Sequence, residues 1–144
     1  MRRIDLALTV ARSHLGEFYS WGGDDPSGFD CSGFVVEVLK SVGLLDRERE
    51  VDFTAEGLWQ KYMAYKTLDP TPGCLAFRQS GSRMVHIELV IEKIGQATFT
   101  IGASGGTSKT RTKNDAIRDN AFIKIRPATG FTVFTNPFWS ISET

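Results

Sequence analysis

The chain changes its periodicity near residue 75, and that change constrains the fold more than any other feature. Before it, apolar residues recur at helical spacing. Ile4, Leu6, Leu8, Val10, Ala11 and Leu15 lean toward one helix, and Phe34, Val35, Val38, Leu39 and Val42 fit a core-facing helix closed by Gly43. Thr54 stands where an N-cap would start a third helix through Leu58, Trp59 and Tyr62. After it, residues 75–77, 85–91, 97–101, 122–126 and 131–134 are β-branched, apolar or alternating, with Gly95 at a turn between the second and third runs. Helices first, strands later and hairpin-length connections predict an α+β fold: N-terminal helices packed on an antiparallel sheet, in one domain over residues 1–144.

Composition narrows the function. A chain of 144 residues can bury a core without staples, and 41% hydrophobic against 24% charged residues excludes a mostly disordered chain. Seventeen basic residues balance seventeen acidic ones, so the whole-chain basic footprint of a nucleic-acid binder is absent. The run Asp46-Arg47-Glu48-Arg49-Glu50 reads as a solvated turn. Asp5 and Arg12 break the N-terminal apolar stretch, so no secretory signal is expected there, and no run of about 18 apolar residues offers a membrane span. Cys31 and Cys74 are too few for a disulfide framework, and without paired CxxC elements a structural zinc site is not expected.

The chemistry concentrates between Phe18 and Val35. A Gly/Pro-rich loop, Gly22-Gly23-Asp24-Asp25-Pro26-Ser27-Gly28, delivers Cys31 to the first turn of the apolar helix. Free N–H groups and the helix dipole there favour a thiolate, and the same donors can hold a tetrahedral oxyanion. Such a cysteine is a nucleophile if a base is near. His86 opens the strand His86-Ile87-Glu88-Leu89-Val90-Ile91, from which it can project toward the helix N-terminus. A Cys–His pair then supports thiolate attack, an acyl-enzyme and hydrolysis, with no metal or cofactor.

These segments resemble the NlpC/P60 family of cell-wall cysteine peptidases, over most of the chain and in the same order. Tyr19-Ser20-Trp21-Gly22-Gly23 is similar to the family's Tyr-x-Trp-Gly-Gly loop, and Phe29-Asp30-Cys31-Ser32-Gly33-Phe34-Val35 to its nucleophile motif. Pro72-Gly73-Cys74-Leu75-Ala76-Phe77 resembles its Pro-Gly-Asp-Leu-x-Phe segment, and Val85 to Ile91 its catalytic-histidine strand. The resemblance implies a compact papain-like fold and a peptidoglycan stem peptide as substrate, cut between D-glutamate, through its γ-carboxyl, and the diamino acid. It implies Cys31 as nucleophile, His86 as general base, and Tyr19 with its hydroxyl near the oxyanion. Asp30 and Ser32 would hold the amine end of a short peptide, and Trp21 would shape the loop or line the cleft.

The chain departs from that pattern in three ways. The family carries a third polar residue, often histidine, where this chain reads Ile101-Gly102-Ala103. Thr100 and Ser104 share the strand face of Gly102, and Glu88 shares that of His86, so each is a candidate. Glu88 would orient the imidazole or bind a substrate amine. Cys74 replaces an aspartate and reads as a small buried residue. No wall-binding module is recognisable, which suits a phage lysin or virion hydrolase, an injected antibacterial effector or a recycling enzyme. Phage structural proteins or an immunity protein would then be partners, and a phage or secretion route would carry the protein to the wall. Other classes remain open: a thiol amidase or acyltransferase on another amide or lipid, and an inactive wall-binding module.

The remaining residues read as structural. His14 lies at the end of the first helix, where a cation suits the dipole. Trp59, Tyr62 and Tyr65 bury the third helix. Residues 104–114, with Lys109, Arg111 and Lys113, form a mobile, solvated hairpin tip. Its Gly105-Gly106 lacks the Gly-Lys-Thr context of a phosphate loop.

Overall fold

A computed structural model describes residues 2–21, 24–25, 28–49 and 52–141. Three helices precede most of the sheet: α1 (Arg3–Ser13), α2 (Cys31–Ser41) and α3 (Ala55–Tyr62). A two-residue hairpin, β1 (Asp24–Asp25) with β2 (Gly28–Phe29), lies directly before α2. The strands that follow are β3 (Lys66–Thr67), β4 (Leu75–Ser80), β5 (Arg83–Ile94), β6 (Ala97–Ser104), β7 (Phe122–Pro127) and β8 (Val133–Thr135). They form a six-stranded antiparallel sheet in the order β3-β8-β4-β5-β6-β7. The α+β expectation holds, including the helices packed on the sheet.

Helix α2 is the centre of the core. Phe34, Val35, Val36, Val38 and Leu39 are all buried, so this helix is covered almost all round, as a helix apolar on most faces must be. It ends at Val42, and Gly43 supplies the positive φ of 78° past the end. Register brings apolar residues of neighbouring strands opposite one another: Leu75 with Leu89, Phe77 with Ile87, Leu89 with Ile101, and Ile101 with Ile125. All but Ile125 are fully buried, and all pack into the main core with the helices. Period-two alternation turns the other residues to the opposite set of positions, where β5 carries His86, Glu88 and Val90. Phe131 and Phe134 pack on a small second cluster of Cys74, Ala76 and Val90.

Three expectations need correction. First, residues 104–114 do not form a mobile hairpin tip. The segment leads into α4 (Lys113–Asp119), which the sequence reading missed. Thr112 caps that helix and Asp115 returns a bond to the Thr112 N–H, a capping box with aspartate in place of glutamate or glutamine. Thr110 is fully buried and donates to Asp119 at 2.7 Å, which fastens the loop to the helix. Second, the strand expected at 131–134 is shorter and later, β8, and Phe131 packs outside it. Third, β5 starts two residues earlier than expected, so His86 is its fourth residue. Of the charged turn, Asp46 to Arg49 are exposed as expected, while Glu50 lies outside the described residues. The same applies to Gly22, Gly23, Pro26 and Ser27 of the glycine loop.

Candidate active site

The site forms where the N-terminus of α2 meets the start of β5. Asp30 is the N-cap of α2: its Oδ1 accepts the Gly33 N–H at 2.6 Å, and the Ser32 hydroxyl donates to the same oxygen at 3.4 Å. The Phe34 N–H goes to the Asp30 carbonyl. Helix geometry gives the other N–H groups of this first turn no carbonyl partner within the helix. Cys31 is a free, partly exposed thiol. It lines the same cleft as the His86 imidazole, across the helix–strand junction, and its charge favours the imidazolium form.

His86 is held on several sides. Its Nε2 meets Glu88 Oε2 at 2.6 Å. Its ring stacks on Phe131, with centroids 6.1 Å apart. Glu88 is fully buried and accepts twice more, from Thr100 Oγ1 at 2.8 Å and from Arg126 Nη2 at 2.7 Å. A buried carboxylate is tolerated only when donors replace its water, and here there are three. Burial opposes the imidazolium form of His86, but bonds to Cys31 and Glu88 and their charges outweigh it and raise its pKa to about 9. Burial likewise opposes the Glu88 carboxylate, yet the His86 bond and charge and the Arg126 charge hold its pKa below the ordinary value.

Tyr19 enters from the other side. The segment around it runs beside the start of β7, with Tyr19 N–H on the Ala121 carbonyl and Ile123 N–H on the Glu17 carbonyl. The ring lies so close to Gly106 that a Cβ there would sit 2.2 Å from it, so position 106 has to be glycine. Burial first, then the charges of Cys31 and Asp30, push the phenol pKa up, so Tyr19 remains a proton-bearing donor.

These residues line one cleft of about 670 Å³. Tyr19, Asp30, Cys31, Ser32 and His86 lie on it as expected, and Trp21 lines it half exposed, with its backbone N–H bonded to the Thr110 carbonyl. Of the three third-residue candidates, Glu88 touches His86, Thr100 touches Glu88, and the buried Ser104 hydroxyl has no hydrogen-bond partner among the described residues. Sequence reasoning missed Arg78, Arg83 and Arg126, which also line the cleft. Alternation in 122–126 marks the face of Arg126, but no local signal shows that β7 returns beside β6. Among the described residues no cluster of three or more His, Cys, Asp or Glu is arranged to hold a metal ion.

His14, the aromatic residues of α3 and Cys74 take structural places. His14 bonds Glu17 at 2.8 Å and meets Phe34 edge-on, away from the cleft. Trp59 packs edge-on against Phe77, and Tyr62 is buried. Cys74 is buried and lies 3.6 Å from the Thr71 hydroxyl.

The model of the NlpC/P60 family matches residues 16–126. The chain is similar to a probable endopeptidase p60 of Listeria seeligeri, with 32% identity over 84 residues, which is 58% of this chain and 15% of that protein. It is also similar to protein P54 of Enterococcus faecium, 51% identical over 35 residues, or 24% of this chain and 7% of that one. The chain thus spans a small part of the length of these relatives. Among solved structures, the NlpC/p60 domain of the peptidoglycan hydrolase SagA superposes with a TM-score of 0.62 at 22% identity, covering 92% of this chain and 97% of that one. RipD of Mycobacterium tuberculosis, described as a non-catalytic NlpC/p60 domain protein adapted to peptidoglycan binding, gives 0.57 at 16% identity, covering 94% and 97%. At these identities the likeness to the solved structures is one of fold.

Proposed function

The chain belongs to the NlpC/P60 family, and from that premise we propose that it is a cysteine peptidase that hydrolyses an amide bond in peptidoglycan stem peptides, the γ-D-glutamyl bond to the diamino acid being the one the family resemblance favours. The observation that carries the reading is that Cys31, at the N-terminus of α2, lines one cleft with a His86 imidazole whose Nε2 is engaged by Glu88.

The chemistry follows from that arrangement. The Cys31 thiolate attacks the scissile carbonyl and the C–S bond forms. The oxyanion takes hydrogen bonds from first-turn N–H groups of α2 and from the Tyr19 hydroxyl. His86, carried as imidazolium, gives its proton to the leaving nitrogen as the C–N bond breaks. The neutral imidazole then takes a proton from water, whose oxygen attacks the thioester. The C–S bond breaks, the acid product leaves, and the thiolate–imidazolium pair is restored. Asp30 at one part of the cleft and Arg78, Arg83 and Arg126 elsewhere suit a peptide bearing both an ammonium and carboxylates.

The fold also supports a wall-binding reading, because the RipD domain shares it without catalysis. Digestion of purified sacculi by wild type and Cys31→Ala, with products weighed by mass spectrometry, separates the two. New stem fragments from wild type alone support the peptidase, and their masses identify the bond. Pelleting with sacculi without fragments from either protein supports the binding module.

A further inference from the structure

Position 102 is where the family resemblance places a polar side chain on the strand beside the base. The chain has none there, and the space is filled. A Cβ on Gly102 would lie 2.3 Å from Glu88 Cγ and 2.8 Å from its Cδ. A side chain at 102 and the observed Glu88 side chain exclude one another. The carboxylate that occupies the space is fully buried, meets His86 Nε2 at 2.6 Å and is itself held by Thr100 and Arg126.

We propose that Glu88 is the positioning residue for the His86 imidazole, moved onto the base's own strand, with Gly102 as its steric counterpart and Arg126 as the clamp that keeps the carboxylate in place. The inference rests on the thiol peptidase reading for its catalytic consequence, but not for its geometry.

The arrangement differs physically from a neutral or imidazole partner on β6. Residues two apart on a strand share a face, so Glu88 reaches His86 along β5. A full negative charge at Nε2 favours the imidazolium more than a neutral acceptor does. Arg126, from β7, and Thr100, from β6, saturate both carboxylate oxygens, so Glu88 cannot turn away without leaving a buried donor unpaired. The charged and titratable groups facing the pair are Cys31 from α2, Arg78 opposite His86 on β4, and Arg126 from β7. Phe131 covers the ring of His86 with no charge of its own.

The test uses Glu88→Gln, Gly102→Ala and the exchange pair Glu88→Ala with Gly102→His. Two readouts are taken: the pH profile of peptide hydrolysis, and the midpoint of the His86 ring titration followed by NMR. Glu88→Gln is expected to lower kcat on the order of a hundredfold with KM little changed, and to move the His86 midpoint and the alkaline limb of activity to lower pH. Gly102→Ala, though it adds one methyl group, is expected to reproduce much of that loss by displacing Glu88. The double exchange is expected to recover at least part of what Glu88→Ala alone loses. A folded Glu88→Gln protein with the wild-type His86 midpoint overturns the proposal, as does a Gly102→Ala protein with wild-type activity and titration. Failure of the wild type to hydrolyse any stem peptide refutes the peptidase reading, and the NMR midpoint still decides the positioning role.

Discussion

Asp30 is an N-cap and a cleft residue at once, and substitution separates the two roles. Its Oδ1 accepts the Gly33 N–H at 2.6 Å in the first turn of α2, beside Cys31. Asp30→Ala removes that acceptor. Loss of such a cap costs about 1–2 kcal/mol, the charge-assisted bond placing it toward the upper half. In a chain of 144 residues, each kcal/mol lowers Tm by roughly 3 °C, so a fall of about 3–6 °C is expected. Asp30→Asn keeps an acceptor and loses only the charge at the helix N-terminus, worth about 0.3–1 kcal/mol, or roughly 1–3 °C. Activity follows a different rule. If the carboxylate also holds a substrate ammonium, Asp30→Asn raises KM for peptides with a free amino terminus and leaves N-acetylated peptides unaffected. Thermal unfolding and paired kinetics on the two peptides check both halves. Equal destabilisation by Asn and Ala refutes the capping argument. Equal kinetics of Asp30→Asn and wild type on the free-amine peptide refute the ammonium role.

Other consequences follow from the charges. Burial pushes the Cys74 thiol pKa up, so iodoacetamide near neutral pH is expected to label Cys31 and spare Cys74 in peptide mass maps; equal labelling of the folded protein would contradict that. The His86 pKa is raised from 6.5 to about 9, so its contribution to stability is complete below 6.5 and is lost as pH rises through about 9. Glu88 is shifted the other way, so its contribution is present above its ordinary 4.5 and is lost as pH falls through its depressed value. Urea midpoints are therefore expected to be highest between 4.5 and 6.5 and to fall by pH 9.5, and a His86→Ala protein should lose the alkaline fall. The joint substitution Arg78→Gln with Arg83→Gln is expected to raise KM about threefold to tenfold for carboxylate-rich peptides and not for their amides; identical changes on both sets would refute a charge effect.

Much of the site is local in sequence. Asp30-Cys31-Ser32-Gly33 places the proposed nucleophile, the helix cap and the first-turn N–H groups within one helical turn, so a contiguous segment carries them. His86 and Glu88 are also legible, because strand alternation puts residues two apart on one face. Helix α4 was not legible. Its capping box uses Asp115, and its polar sequence between two glycines and a strand carries no apolar stripe long enough to mark a helix. The burial of Thr110 was equally hidden, because its partner Asp119 lies on that unrecognised helix.

The sequence alone determined the α+β order of elements, the cysteine at the start of α2, and a histidine on a later strand, since periodicity and capping act over a few residues. It left three candidates for the partner of His86. Only the tertiary structure decided among them, because the answer depends on sheet register. Pairing of β5 with β6 and of β6 with β7 brings Thr100 and Arg126 onto Glu88 and faces it with the bare backbone of Gly102. A contact such as that of Arg126 with Glu88, 38 positions apart, arises from chain topology, and local propensity carries no record of it.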